Sequence, residues 1–246
     1  MRKIAVFLTK GGVGKTTTAV NVAAGLARMG SSVLLIDTDT QGHVAPMLGV
    51  KPAAGLAQVI TEELTPEGAM IKAREQLWLL AGGGELAGVK RLVTQKDFGG
   101  EQVLQEALVR VEGMYDYVIL DTSPGWDALN VNVLFYAQEI LAPVSLEVLT
   151  LQSLLEFTKR LAEIQRYHTA LTLKYILPTF LDGRVRKSQE ILEQLQAHYG
   201  QQLCPSIRYS VRLSEAPGYG QTIFEYAPNS PGATDYWQLT EKIAHG

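Results

Sequence analysis

The run Ile4-Ala5-Val6-Phe7-Leu8-Thr9-Lys10-Gly11-Gly12-Val13-Gly14-Lys15-Thr16-Thr17 decides the fold. A short bounded apolar run of strand length is followed by a glycine-rich turn and then by a helical pattern over 16–29. Strand, glycine-rich loop and helix, in that order, form the setting a phosphate-binding loop requires. Glycines let the main chain wrap an anion with its N–H groups inward. A helix starting after Gly14 adds free N–H groups and the positive end of its dipole. Lys15 can reach the β- and γ-phosphates of ATP, and the Thr16 hydroxyl can ligate Mg²⁺. Gly11, Gly12, Val13, Gly14, Lys15, Thr16 and Thr17 are therefore candidate ATP-binding residues. Thr9 stands where the strict pattern G-x-x-x-x-G-K-[ST] has its first glycine, and an additional lysine, Lys10, precedes the glycines. A plain glycine-rich turn with two surface lysines is the alternative, and the Gly-Lys-Thr core closing a buried strand argues against it.

Working outward, short β-rich apolar runs recur at 33–36, 77–81, 117–120, 140–144 and 173–177, with helical patterns at 101–112, 150–167 and 188–199. Such runs suit strands buried on both faces, and alternation of β with α predicts a doubly wound α/β fold: a mostly parallel sheet with helices on both faces. Length and the lack of repeats or linkers predict a single domain over 1–246. The stretch 216–232, rich in Pro and Gly, is expected to be a long irregular segment. Formal charge is −3, so any DNA contact must come from a local basic patch. One cysteine, Cys204, excludes an intrachain disulfide and fits a cytoplasmic setting. The first apolar run is too short for a signal-peptide core, and no run approaches the roughly 20 residues of a membrane-spanning helix.

Three acids end apolar strands. Asp37 and Asp39 flank one residue in Ile36-Asp37-Thr38-Asp39-Thr40-Gln41-Gly42, so both can face one phosphate site. Asp121 closes Val118-Ile119-Leu120, the arrangement of a Walker-B acid holding Mg²⁺ directly or through water. Asp37 has a second reading, as an acid that caps the following turn. The four histidines show no metal-ligand spacing.

Lys10–Thr17 resembles the deviant Walker-A motif of the ParA/MinD (SIMIBI-type) ATPases, and the match is nearest to small ParA/Soj-like members. Asp37–Gly42 is similar to their switch I and Asp121–Gly125 to their switch II; Thr40 and His43 depart from the usual proline and asparagine. The resemblance runs from residue 3 to about 240. It implies an ATP-dependent homodimer in which Lys10 reaches the partner's phosphates, although a contact within its own subunit is the alternative. It implies catalytic roles for Lys10, Lys15 and Asp39, and Mg²⁺ support from Thr16, Asp37 and Asp121. By the same likeness Pro178 and Arg208 border the adenine, with Arg208 standing where the family has proline. Arg184, Arg186, Lys187 and Arg212 fall on segments that carry non-specific DNA binding. Four cations on one face suffice for a backbone contact without base reading, and a solvated charge cluster is the plain alternative. Trp126 packs inward or marks a partner surface, and Asn132 lies near a family asparagine.

The implied function is a slow ATPase that dimerises on ATP, holds DNA and releases it when a ParB-like or cargo-adaptor protein stimulates hydrolysis. Such a protein would be cytoplasmic and nucleoid-associated. Two other classes share the loop. A MinD-like membrane-surface ATPase needs a basic amphipathic tail, whereas residues 235–246 carry Lys242 against Asp235 and Glu241. An ATP-dependent metabolic enzyme needs a substrate pocket beside the γ-phosphate, for which the sequence offers no signature. Iron-protein-like reductases need paired cysteines, which this chain lacks.

Overall fold

The computed structural model describes residues 1–246, the Val148 side chain apart. Seven strands, β1 (Arg2–Val6), β2 (Val33–Asp37), β3 (Ile71–Arg74), β4 (Leu77–Leu80), β5 (Tyr117–Asp121), β6 (Glu139–Ser145) and β7 (Thr172–Thr179), form one sheet in the order β3-β4-β2-β5-β1-β6-β7. All neighbours are parallel except β3 and β4. The doubly wound α/β fold expected from the alternating pattern is what forms.

The longer helices are α1 (Lys15–Arg28), α2 (Leu86–Gln95), α3 (Ala128–Tyr136), α4 (Val148–Ile164), α5 (Arg186–Tyr199) and α6 (Pro231–His245). Alternate strand residues feed opposite faces, as the pleat demands. Ile4, Val6, Val33 and Leu35 pack with α1 and α6, whereas Ala5, Phe7, Leu34 and Ile36 pack with α2 through α5. Both faces are thus covered, which is why the central strands read as unbroken apolar runs.

Two local expectations are corrected, and one strand has no counterpart among the expected runs. The helix expected over 101–112 is instead a 3₁₀ turn (Gly100–Gln102), one short helix (Val103–Ala107) and a second 3₁₀ turn (Val109–Val111). Three β-branched valines weaken a continuous helix there. The antiparallel edge strand β3 alternates Ile71 and Ala73 with Lys72 and Arg74 over only four residues, too short a run to stand out, and its charges protect an exposed edge. Residues 216–232 are not irregular: they hold a 3₁₀ turn (Ala216–Tyr219), a helix (Ile223–Tyr226) and the start of α6. A capping box, Thr222 with Glu225, starts that helix.

The sheet register positions the site. Asp37 of β2 lies opposite Asp121 of β5, and Val6 of β1 lies on its other side. The loop leaving β1 therefore passes directly over two carboxylates at the sheet's C-terminal edge.

α1, whose first residue is the loop's Lys15, is braced from behind by α6. Thr18 Oγ1 and the buried Tyr236 hydroxyl share a 3.1 Å hydrogen bond. A Cβ at Gly25 would lie 2.9 Å from Thr240 Cγ2 and closer still to its Oγ1. Thr240 is fully buried and its hydroxyl donates to Tyr236 O at 2.7 Å, so it has no freedom to yield. Gly25→Ala gains about 1 kcal/mol of helix propensity but incurs about 1–3 kcal/mol of overpacking. The expected result in urea unfolding is a net loss, reversed when Thr240→Ala is added. An unchanged midpoint for Gly25→Ala would show that the two helices are not this close.

Candidate nucleotide-binding site

Gly12 (φ 72°) and Gly14 (φ 89°) adopt left-handed backbone conformations, and Gly14 caps α1 in that state. A side chain at either position would be strained, so glycine is what permits the loop its curvature. The loop is pinned from both sides. Thr179 Oγ1 donates to Val13 O at 3.0 Å from the end of β7, and Gly125 N donates to Thr9 O at 2.8 Å from switch II. The first turn of α1 leaves its N–H groups without helical partners, ready for an anion.

The two loop lysines have different surroundings. Lys15 is buried, and its ammonium donates to Lys10 O at 2.9 Å. Burial pulls its pKa down to about 8, against the opposing attraction of Asp121 and Asp39. Lys10 is more exposed. Its ammonium is held outside the loop by Glu147 Oε2 at 3.1 Å and Thr150 Oγ1 at 2.9 Å, and Thr150 in turn shares a 2.7 Å bond with Ser145.

The three acids also differ. Asp37 is fully buried and spends both oxygens on main-chain donors, accepting from Asp39 N at 2.9 Å and Val44 N at 3.2 Å. Its geometry is that of the turn-capping reading. Burial pushes its pKa up to about 6, the two hydrogen bonds opposing the shift. Asp39 is less buried; its Oδ1 accepts from Gln41 N at 3.0 Å and its carbonyl from Gly42 N and Gly83 N. Asp121 is fully buried, and no donor meets hydrogen-bond geometry with either carboxylate oxygen. Burial first and Asp37 second drive its pKa well above the carboxylate range, tempered by the nearby Thr16 hydroxyl and Lys15 charge.

An orphaned buried carboxylate beside a hydroxyl, under a loop of free N–H groups, fits a magnesium–phosphate ligand. Asp121 and Thr16 would hold the cation; Asp37 would act on it through Asp121 and the turn it caps. Among the described residues no group of three or more His, Cys, Asp or Glu side chains is arranged to hold a metal ion by itself, so phosphate and water would complete the shell.

The remaining site residues fall in three places. Pro178 is buried inside β7, and its carbonyl accepts from Ile207 N at 2.8 Å. Two side chains that follow it approach the loop: Thr179, through its bond to Val13 O, and Phe180, 3.8 Å from a Cβ placed at Gly14. Arg208 is engaged by Asp235 of α6, at 2.6 Å from Oδ1. The cations Arg184, Arg186, Lys187 and Arg212 lie exposed at the edge beyond β7. Pairing of Leu181 with Arg208, reinforced by Tyr209 N to Leu181 O at 3.0 Å, brings the two segments that carry them side by side. Arg184, Arg186 and Arg212 each contact a nearby acid: Asp182, Glu190 and Glu215.

Trp126 packs inward, its ring centroid 5.4 Å from Phe7 and 6.0 Å from Phe157. Asn132 braces the turn at Gly100 and does not touch the loop. The asparagine that supports switch II is Asn130, whose amide donates to Ser123 O at 3.1 Å and Gly125 O at 3.0 Å. The sequence carried one signal for it, an Asp-x-x-Asn helix start at Asp127.

A family model described as an AAA domain matches residues 1–174. The chain is 39% identical over 245 residues to the chromosome-partitioning ATPase Soj of Thermus thermophilus, covering 99% of this chain and 95% of that protein. It belongs to the Soj/ParA family of P-loop ATPases. The Bacillus subtilis Soj, a sporulation initiation inhibitor protein, is 34% identical, with 98% of this chain and 97% of that one covered. A solved structure of Mycobacterium smegmatis cobyrinic acid a,c-diamide synthase with an ATP analogue and magnesium superposes with TM-score 0.85, at 28% identity over 100% of this chain and 95% of that one. A Cyanothece McdA–ATP complex matches with TM-score 0.86 at 22% identity, over 100% and 96% of the two chains, and shows the shared fold.

For this Soj/ParA-family chain the unpartnered Asp121 makes a direct test possible. A carboxyl whose folded-state pKa is raised costs stability above its unfolded pKa and costs none below it. With magnesium chelated, Asp121→Asn should therefore unfold at a higher temperature than wild type at pH 7, and the gain should vanish near pH 4. Asp37, unaltered in both proteins, adds a loss of stability as pH rises from 3.8 towards about 6. Adding Mg²⁺ with ATP should raise the melting temperature of wild type and leave Asp121→Asn unmoved by the metal. A metal-free Asp121→Asn protein less stable than wild type at pH 7 would overturn the orphan-carboxylate reading.

Proposed function

We propose that this ATPase closes into an ATP-bound homodimer, holds DNA without sequence preference in that form, and releases it when a ParB-like or cargo-adaptor partner stimulates slow hydrolysis. The observation that carries the reading is the division between the two loop lysines. Lys15 lies buried in the cradle of its own subunit, while Lys10 is held outside it by Glu147 and Thr150. An exposed pair such as Lys10–Glu147 is worth about 0–1 kcal/mol, so the phosphates of a second subunit would displace it. Asp39 would orient the attacking water. Bound magnesium would neutralise charge developing on the transferred phosphoryl group.

The DNA half of the reading is supported by the four exposed cations at one edge. Their acidic neighbours are solvent-exposed partners that phosphates can replace at little cost. Because net charge is −3, one subunit should bind DNA poorly, and two patches acting together should bind it well. The names of the relatives, chromosome-partitioning ATPases, point the same way. No helix is long and apolar enough to cross a membrane among the described residues, and the buried face of α6, including Tyr236, Leu239 and Ile243, is taken up inside the protein. That leaves α6 without an apolar face for the MinD-like alternative.

Two predictions test the chemistry and the assembly. Asp39→Ala should bind Mg²⁺-ATP with little change but hydrolyse it at least about 100-fold more slowly, because the water loses its orienting group. That variant should be dimeric with ATP in light scattering, and Lys10→Ala should stay monomeric. Normal turnover in Asp39→Ala would refute the switch I assignment, and a normal Lys10→Ala dimer would confine Lys10 to its own subunit.

The DNA claim is tested by mobility shift with ATP, ADP and no nucleotide. Binding should need ATP, ignore sequence and fall with salt at a log–log slope near −5, for roughly six phosphates at about −0.9 each. Arg212→Ala and Arg184→Ala should weaken it while leaving dimerisation intact. Equal binding in all three nucleotide states, or none with ATP at low salt, would refute the DNA reading. Turnover that depends on a small carboxylate substrate would instead favour the metabolic alternative.

A further inference from the structure

Switch I and switch II approach the nucleotide site from different strands, and one helix touches the supports of both. At the tip of β4, a Cβ on Gly82 would lie 2.6 Å from Asp39 O and 2.8 Å from Asp37 Cγ. Gly83 N donates to Asp39 O at 3.0 Å. Only a residue without a side chain allows β4 to approach switch I this closely. The same tripeptide runs directly into α2: Leu86 N donates to Gly83 O at 3.0 Å and Ala87 N to Gly84 O at 3.1 Å. The start of α2 and the Asp39 carbonyl are thus joined through two residues.

One turn further along α2 is Lys90. Its ammonium donates to Asp127 Oδ2 at 2.6 Å, a partly buried pair. Asp127 lies two residues beyond switch II and caps α3. Its Oδ2 also accepts from Ser123 Oγ at 3.1 Å, and its Oδ1 accepts from Leu129 N and Asn130 N to start α3. Asn130 then returns to clasp Ser123 and Gly125. Leu86, Val89 and Val93 fix the inner face of α2 in the core, so the helix moves as a body or not at all.

We propose that α2 ties the two switches together and that Lys90 is a positioning residue, holding switch II through Asp127 while the Gly82–Gly84 turn follows switch I. Neither end touches phosphate. Displacement of Asp39 by a nucleotide carries Gly83 and the start of α2 with it, and the ion pair passes that displacement to Ser123 and Gly125. The proposal rests on the ATPase reading for its turnover measurement only.

The experiment is hydrogen exchange on the full chain with and without Mg²⁺-ATP, followed through peptides covering 80–86 and 122–128. In wild type both peptides should gain protection over the same ATP range. In Lys90→Met, 80–86 should still respond and 122–128 should lose at least about half of its response, with turnover down about tenfold and ATP affinity within about twofold. Lys90→Arg, which restores a cationic donor, should recover both. Asp127→Asn provides a second route: Oδ1 still caps α3, while the group in place of Oδ2 no longer accepts. It should reproduce Lys90→Met without loss of fold. A purely structural role would lower melting temperature and affinity together and would not be rescued by arginine. Wild-type responses of both peptides in Lys90→Met and Asp127→Asn, or independent responses in wild type, would overturn the coupling. Paired protection without turnover would leave the coupling standing and refute the ATPase reading instead.

Discussion

Two carboxylates buried side by side at the end of a parallel sheet are the constraint on which this site depends. Asp37 and Asp121 are in register across β2 and β5, and neither is exposed. In a low-dielectric setting each raises the cost of ionising the other. Asp37 lowers that cost by capping a turn, but Asp121 finds no donor. Lys15 sits nearby as a cation weakened by burial. Each of these groups is a liability in the protein alone. A divalent cation with a polyphosphate would satisfy them together, and the energy of ligand binding would then include relief of strain already present in the fold. Affinity and conformational response then have a common source.

The parts of this site that could be read from sequence are those whose meaning is local. A loop of glycines between strand and helix has one physical use, and acids ending apolar strands fall on the ligand edge of any parallel sheet. What could not be read depended on partners distant along the chain. Arg208 is held by Asp235, which lies on a helix beginning more than twenty residues later. Pro178, placed beside the adenine by likeness to the family alone, lies inside β7 with its carbonyl used by Ile207. Gly82 and Gly83 follow a strand run and by themselves suggest only a loop. Their role appears only when β4 is placed beside β2, where lack of a side chain lets the backbone reach Asp37 and Asp39. Edge strand β3, Ile71-Lys72-Ala73-Arg74, alternates for only four residues, too short a run to stand out, and its charges keep an exposed edge from pairing with another chain.

The exposed cations illustrate how an acidic protein can keep a basic surface in reserve. With 22 basic residues against 25 acidic ones, long-range attraction to a polyanion is absent. Arg184, Arg186 and Arg212 each rest against a local acid, which lowers their field further without burying them. Such pairs are weak enough to exchange partners in contact with a phosphate, yet they discourage encounter at a distance. If such a surface met a polyanion, it would respond to how many copies act at once more than to the strength of any single contact.

The bracing of α1 by α6 also bears on the order in which the chain is made. The phosphate loop, residues 10–17, emerges more than two hundred residues ahead of 231–245, and the helix that carries it gains Tyr236 and Thr240 as neighbours only when that later segment has left the ribosome. Arg2 on β1 likewise waits for the carbonyl of Ile243. Contacts this remote in sequence close late, after the central strands have assembled. A nascent chain therefore carries its loop long before the loop has a rigid seat, which waits for residues 231–245 to fold against α1.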